Sequence, residues 1–446
     1  MKVPADYAGL IPLQRLETLI PDGKPVYMKG EAIAEANRCL YCHDAPCVQA
    51  CPTGIDIPGF IRKIATDNVR GSAKTILSAN LLGYSCARVC PVEVLCVGEC
   101  VYNDWHRDPP IQIGRLQRYA VESVFQNGAA ASLFTKAPAT GKKVACVGAG
   151  PASLACAGYL ALEGVEVTLF EKRKVPGGLN VTGVAPYKMS VEGGLAEVDF
   201  VRSLGVTIRT GAEVGRDVKG ADLLRDFGAV FLGVGLGADA MLGIQGEDGA
   251  GVTGATAWIE RMKLEVLPPP AAKRALVIGG GNTAIDAARE LVKLRVPNVS
   301  LVYRRTQADM SGYAHELEAA RREGVALIER AVPAAFVRDA SGALETLMLA
   351  DGRGLPCDLA IVAIGQAKLR ALAAEFPGVE LDEKGHVKAD PVTGRTTNPR
   401  IWAGGDALGG ELVVTAAQEA KRAARDICAA LGVKVRADAA MMKGHE

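Results

Sequence analysis

Eight of the twelve cysteines, Cys39, Cys42, Cys47, Cys51, Cys86, Cys90, Cys96 and Cys100, fall within 62 consecutive residues. Crowding of this kind leaves a disulfide framework or a metal-bearing module. Disulfide frameworks suit small secreted domains, whereas this chain runs to 446 residues and its start, MKVPADYAGLIPLQRLETLIPDG, lacks the unbroken apolar core of an export signal. A cytoplasmic location is therefore expected, where the thiols stay reduced and free for metal. Cys146, Cys156, Cys357 and Cys428 stand singly in apolar segments and read as small core hydrophobes.

The first group reads Cys39-x2-Cys42-x4-Cys47-x3-Cys51-Pro52 and the second Cys86-x3-Cys90-Pro91-x4-Cys96-x3-Cys100. Structural zinc usually announces itself with a pair of two-residue gaps, and only one is present. A closing x3-Cys-Pro belongs instead to iron–sulfur ferredoxins. The composition, 49% hydrophobic and 23% charged, is that of a globular protein. A net charge of +1 without a basic tract gives no electrostatic reason for a nucleic-acid or membrane partner.

Residues 1–137 are expected to form a helical cysteine-bearing module, with helices over 29–38 and 109–127 and a connector over 128–141. From Lys142 onward short apolar β-rich runs alternate with Ala-rich helical ones, the pattern of parallel α/β sheets. Within that part, KKVACVGAGPASLACAGYLALEGVEVTLFEK predicts a strand at 144–147, a glycine turn, a helix, a strand at 165–170 and then an acid. Gly148 permits the tight turn, and Gly150 lets the backbone approach a pyrophosphate. Pro151 and Ala152 stand in the same turn as further cofactor contacts, small Ser153 allows close helix–strand packing, and Glu171 stands where it can accept from a ribose hydroxyl. The same layout accounts for the uncharged 19-residue stretch Val144 to Leu162 without a membrane.

A second fingerprint, RALVIGGGNTAIDAARELVKLRVPNVSLVYRRT, places Gly280, Gly281, Asn282 and Thr283 between predicted strands at 275–278 and 299–303. It ends in Arg304 and Arg305 where the first ends in an acid. Arginines there can hold a 2′-phosphate, grip the pyrophosphate or remain solvated. Two such sites suggest one bound flavin and one exchangeable nicotinamide. Near the C-terminus, IWAGGDALGGELVVTAAQEAKRAARDI sets Asp406 after a strand and a double glycine, where it can hold a ribityl chain. A helix expected to start near Thr415 would aim its dipole at the flavin ring. The strands ending at Gly235 and at Ala363, Ile364 and Gly365 read as crossings between two nucleotide domains. The expected arrangement is an FAD domain at 138–238 plus 367–446, interrupted by an NAD(P) domain at 239–366.

The segments CLYCHDAPCVQACPTGIDIPGFI, GYSCARVCPVEVLCVGEC, PPIQIGRLQRYA and VGAGPAS together resemble the N-terminal half of dihydropyrimidine dehydrogenase, and most of all the separate bacterial subunit that carries FAD and oxidises NADH. The resemblance runs from about Cys39 to Lys421. Glutamate synthase small subunits and related transhydrogenase subunits share the architecture. The resemblance implies that Cys39, Cys42, Cys47 and Cys100 hold one 4Fe-4S cluster. Cys51, Cys90, Cys96 and Gln117 would hold the other, leaving Cys86 without a ligand role. A glutamine at 117 separates the pyrimidine enzymes from the glutamate synthase relatives, which carry a glutamate there. Gly178 and Leu179 are implied flavin contacts. The family's flavin segment GIPQFRLP is GVAPYKMS here, so Lys188 replaces an arginine and keeps charge without bidentate geometry. Ser311 stands where a third basic residue would meet a 2′-phosphate, which favours NADH.

The resulting expectation is an electron-input subunit in which NAD(P)H passes a hydride to FAD and electrons leave singly through the two clusters. The catalytic group for hydride transfer is the cofactor, and no protein acid or base is required. The chain ends without an FMN barrel, so an FMN-containing partner is expected to reduce uracil or thymine within a hetero-oligomer. The alternatives are the small subunit of glutamate synthase or a related transhydrogenase, and a zinc-stapled nucleotide-binding scaffold. His43, Trp105 and His106 read as surface loop residues.

Overall fold

The computed structural model describes residues 2–445. The cysteine-bearing part is built of short helices with visible start signals. Asp56 caps helix Ile57–Ala65 by accepting from the Gly59 N–H, with Pro58 in the first turn, and Ile57, Phe60, Ile61 and Ile64 form its buried stripe. Asn68 caps helix Val69–Ala79 in the same way, through the Gly71 N–H. Helix Gly83–Val89 leads directly into Cys90. The long amphipathic helix runs Ile113–Gln126 and not from residue 109, because Pro110 forces its predecessor out of helical geometry. Helix Lys29–Ala36 likewise stops two residues short of the expected Arg38, at a turn that closes on Cys39.

The first nucleotide unit is a five-stranded parallel sheet of β1 (Lys143–Val147), β2 (Glu166–Glu171), β3 (Thr207–Thr210), β4 (Ala229–Leu232) and β13 (Ile401–Ala403), in the order β13-β4-β1-β2-β3. Between β4 and β13 the chain builds a second parallel sheet from β5 (Val252–Gly254), β6 (Arg274–Ile278), β7 (Asn298–Val302), β8 (Ala326–Ile328) and β12 (Leu359–Val362), ordered β5-β12-β6-β7-β8. An antiparallel sheet of β9 (Pro333–Arg338), β10 (Leu344–Leu349) and β11 (Gly354–Pro356) covers one face of the second. Phe336, Leu347 and Leu349 meet Leu276, Ile278 and Val362 there. The two crossings run side by side: Gly237 N–H donates to Ala367 O at 2.7 Å and Ala240 N–H to Gly365 O at 2.8 Å. Each strand of the two fingerprints falls within one residue of its expected bounds.

Val144 to Leu162 divides into β1, a turn at Gly148 and helix Pro151–Leu162, and no helix among the described residues is long and apolar enough to cross a membrane. That helix and helix Val413–Ala430 share one continuous apolar core with the cysteine-bearing helices, through Phe60, Ile61, Leu81, Tyr159 and Ile427. The four scattered cysteines are all buried.

The segment from Tyr7 to Ile20 packs on the nucleotide units and not on the helical module that the 1–137 boundary assigns it to, and only at Asp22 and Lys24 does the chain reach that module, through Arg118. Tyr7 and Ile11 pack on Val175, Val191 and Leu195 beside the first sheet, whereas Leu16 and Ile20 enter the core under the second. The Glu17 carboxylate accepts the Val191 N–H at 2.7 Å, so the segment straps the two nucleotide units together. Leu16 is 2% exposed. Leu16→Ala is expected to lower the unfolding free energy by about 2–5 kcal/mol in denaturant titration. A loss below about 0.5 kcal/mol would show that the strap carries no packing load.

Candidate functional site

A cavity of about 750 Å³ lies where the three units meet. On one wall are the first fingerprint and the loop of Gly178 and Leu179. Gly148 has φ +88°, and a Cβ there would stand 2.6 Å from Gly233 O. A Cβ on Gly178 would stand 2.7 Å from the Gly150 Cα, so two backbones approach as closely as glycine allows and leave a side-chain-free cradle at the start of helix Pro151–Leu162. Pro151, Ala152 and Glu171 line the same wall. The Ser153 hydroxyl donates to Val147 O at 3.3 Å, fixing helix against strand. Glu171 is only 7% exposed and both its oxygens already accept backbone N–H groups, from Ala149 and Arg173 at 2.8 Å each. It thereby sets the shape of the glycine turn from the end of β2.

Asp406 lines the same cavity, and burial raises its carboxyl above the ordinary range. The helix behind it begins at Val413, two residues earlier than expected. Val413 and Ala416 reach the cavity and Thr415 does not, a correction to its expected flavin contact. Glu419, with no motif to mark it, holds the turn by accepting the Gly405 N–H at 2.6 Å. Lys188 also lines the cavity, but its ammonium pairs with Asp286 and Glu316 at 2.8 Å each, tying the first unit to the second.

In the second fingerprint, Gly279 approaches Ala363 O so closely that a Cβ would stand 2.2 Å away, and a Cβ on Gly280 would meet the Tyr303 ring at 2.5 Å. A Cβ on Gly281 would stand 3.5 Å from the Ser311 Oγ, an ordinary contact. Asn282 and Thr283 line the cavity, and Asn282 Oδ1 accepts the Tyr313 N–H at 2.9 Å. Arg304 and Arg305 are exposed at the end of β7, outside the lining; Arg305 donates to the Tyr303 hydroxyl at 3.0 Å. Ala363, Ile364 and Gly365 form the return crossing, from which Gln366, unmarked in the sequence, reaches the cavity.

The cysteines gather into two neighbourhoods. Cys39, Cys42, Cys47 and Cys100 surround one small apolar cavity beside Ile57, Ile61 and Ile113. Burial, reinforced by charge at the other three, pushes the Cys47 thiol up to about 12. Cys51, Cys90 and Cys96 form the second neighbourhood, in which Cys51 and Cys96 oppose ionisation of Cys90 and Cys51 opposes that of Cys96; Cys90 is raised first by its contact with Cys86 and then by burial. Thiols buried among thiols become good ligands only when a cation supplies the missing positive charge. Seven soft sulfur donors, the first four on an apolar lining, fit iron–sulfur clusters. Cys86 instead accepts from the Asn80 side-chain amide at 3.1 Å. Gln117 is 7% exposed, not on a solvated face, and donates to Gly83 O at 2.9 Å on the helix that leads to Cys90. His43 is a surface turn residue.

Arg88, Val89, Cys90 and Pro91 line the nucleotide cavity itself, so the second thiol neighbourhood abuts the first fingerprint's cradle. The cradle, the acid at Asp406 and this adjoining wall fit a bound flavin that needs an electron outlet. Beneath the wall lies a wholly buried acid that sequence reasoning missed, because nothing in the motif marks it. Glu197, on helix Val191–Ser203, accepts the Ser85 N–H at 3.0 Å and the Ser85 hydroxyl, and the Asn180 amide donates to that same hydroxyl at 2.8 Å.

A family model described as dihydropyrimidine dehydrogenase domain II, 4Fe-4S cluster, matches residues 19–129, and one described as pyridine nucleotide-disulphide oxidoreductase matches residues 142–420. The glutamate synthase [NADPH] small chain of Escherichia coli strain K12 is 32% identical over 435 residues, covering 90% of this chain and 92% of that one. The NAD-dependent dihydropyrimidine dehydrogenase subunit PreT of the same organism is 34% identical over 405 residues, covering 90% and 95%. Among solved structures, the thioredoxin reductase of T. acidophilum aligns with a TM-score of 0.51 at 21% identity, over 65% of this chain and 98% of that one, which speaks to fold alone.

Burial raises the Glu197 carboxyl from 4.5 to about 7. The fold thus favours its neutral form, and the stability this confers is complete below about pH 4.5 and lost as the pH rises through about 7, roughly 3 kcal/mol in all. Glu197→Gln, which stays neutral, is expected to gain stability relative to the unsubstituted protein between pH 5 and pH 8 in thermal unfolding. A gap between the two that does not change with pH would contradict this.

Proposed function

The chain belongs to the pyridine nucleotide-disulphide oxidoreductase family and carries that family's fold behind a 4Fe-4S module, and from this we propose that it is the electron-input subunit of a dihydropyrimidine dehydrogenase, serving an FMN-containing partner that reduces uracil or thymine. It is an NAD(P)-dependent flavin iron–sulfur oxidoreductase whose cofactors are FAD and two 4Fe-4S clusters, with NAD(P)H as exchangeable co-substrate. FAD converts between the two-electron currency of nicotinamide and the one-electron currency of the clusters.

The chain's own residues then have distinct tasks. In this reading Gly148, Gly150 and Gly178 admit the flavin's pyrophosphate to the start of helix Pro151–Leu162, and Asp406 accepts from its ribityl hydroxyls. Asn282 and Thr283 receive the nicotinamide dinucleotide at the start of the second fingerprint helix. The ion pairs of Lys188 with Asp286 and Glu316 hold the two nucleotide walls at a fixed separation, which is what hydride transfer between stacked rings demands. Cys51, Cys90, Cys96 and Gln117 hold the cluster nearer the cavity, and Cys39, Cys42, Cys47 and Cys100 hold the farther one.

Gln117 carries the choice of partner. Its burial on the helix packed against Gly83 supports a ligand role, and a glutamine there favours the pyrimidine enzymes on the resemblance drawn from the sequence. The glutamate synthase reading stands second, supported by a relative of similar identity and coverage. Co-expression with an FMN-containing chain is expected to yield a complex that reduces uracil with NAD(P)H, while the single chain reduces only artificial acceptors. Robust uracil reduction by the single chain would overturn the proposal. Glutamate formation with a glutaminase-bearing partner would establish the second reading.

A further inference from the structure

The loop that follows β7 runs back alongside the second fingerprint and not away from it. Asp309 O accepts from the Tyr303 hydroxyl at 2.8 Å, and the Tyr303 ring packs against Gly280. The Gly312 N–H donates to Gly280 O at 2.9 Å, and a Cβ on Gly312 would crowd Ile285 Cδ1 at 2.5 Å and Gly280 O at 3.2 Å, so the loop needs glycine to lie this close to the turn. The next residue, Tyr313, donates its N–H to Asn282 Oδ1 at 2.9 Å. The path of the loop is thus set by the fingerprint itself, and Tyr313 is the point at which the loop enters the nucleotide cavity.

Two further observations place the Tyr313 ring. It is stacked on the ring of His315, with centroids 5.6 Å apart and planes 12° from parallel, and both residues line the cavity. His315 Nε2 lies 3.4 Å from Glu93 Oε2, on the segment that follows Cys90, so the pair is backed by the cysteine module. Burial raises the half-buried Tyr313 hydroxyl, as do Glu411 of the first unit and Cys90 of the second thiol neighbourhood, while Lys188 of the first unit opposes them. Tyr313 is therefore bonded to the start of the second fingerprint helix and within electrostatic reach of the wall fitted to the flavin, and it lies on the route between them. A nicotinamide that gives hydride to a flavin lays one face on the flavin ring, and its other face is π-surface that a second aromatic ring can cover.

We propose that Tyr313 is a positioning residue for the co-substrate, its ring, backed by His315, receiving the face of the nicotinamide that is turned away from the flavin. The inference rests on the proposed function, in which a nicotinamide dinucleotide binds at the second fingerprint and FAD in the first cradle. Stacking of this kind needs the ring and not its hydroxyl. Tyr313→Phe keeps the ring, whereas Tyr313→Ala removes it and leaves the backbone N–H that bonds to Asn282. ADP-ribose, which has the rest of the dinucleotide without its nicotinamide, does not meet the ring at all.

The test is isothermal titration calorimetry of NAD⁺ and, separately, of ADP-ribose into the FAD- and cluster-loaded chain, for the unsubstituted protein, Tyr313→Ala and Tyr313→Phe. Tyr313→Ala is expected to weaken NAD⁺ about tenfold and to leave ADP-ribose unchanged. Tyr313→Phe is expected to bind both ligands as the unsubstituted protein does. Unchanged NAD⁺ affinity in Tyr313→Ala would overturn the proposal. Equal weakening of both ligands would overturn it too, by showing that the residue acts through the shape of the loop. A loss in Tyr313→Phe as large as in Tyr313→Ala would assign the effect to the hydroxyl and refute stacking. Flavin bound per chain, measured alongside, is expected to stay the same, and its loss in Tyr313→Ala would assign the ring to the flavin instead of the nicotinamide. Failure of the unsubstituted protein to bind either ligand would refute the nucleotide site on which the inference stands.

Discussion

Helix Gly83–Val89 has to satisfy two units of the protein at once, and much of the arrangement follows from how it does so. One side lies against helix Ile113–Gln126, where Gln117 bonds to Gly83 O and Arg88 meets Glu122. Its other side is fastened to helix Val191–Ser203 through Ser85 and Glu197. Its end delivers Cys90 to the wall of the nucleotide cavity. Two thiol neighbourhoods and a dinucleotide cradle could each fold without regard to the other. What joins them is a core without a seam, in which Leu81 and Tyr84 pack with Tyr159, Phe200 and Ile427. Electron transfer between centres requires that they be close and held rigidly, and a shared hydrophobic core meets both needs.

Much of this was legible before the structure. Glycine spacing, a preceding apolar strand and a following Ala-rich helix determine each fingerprint locally, because the turn at Gly148 and the approach at Gly150 are short-range steric requirements. The interruption of one nucleotide unit by another showed itself through the late segment around Asp406. Thiol spacing limited the metal chemistry, though the division of the cysteines into two sets came from resemblance to a family; Cys39, Cys42, Cys47 and Cys100 line one small cavity together.

What escaped the sequence depends on contacts between residues far apart in the chain. Glu197 and Ser85 are 112 residues apart, and Glu197 belongs to no motif that could couple it to the cysteine segment around Ser85. The first 24 residues looked like the start of a helical module, because short apolar runs such as Leu16 and Ile20 carry no sign of which core will receive them. The expected helix start at Thr415 missed by two residues since Val413 and Val414, β-branched and apolar, read as loop or strand. The pairing of Lys188 with Asp286 and Glu316 could not be seen from a lysine in an arginine's place.

The central claim is that the crowded thiols hold iron–sulfur clusters beside a flavin. Iron, acid-labile sulfide and zinc, determined per chain on anaerobically purified protein, test it most directly. Two 4Fe-4S clusters require about eight irons and eight sulfides per chain, with a yellow-brown colour. A colourless protein carrying stoichiometric zinc and no sulfide would contradict the account.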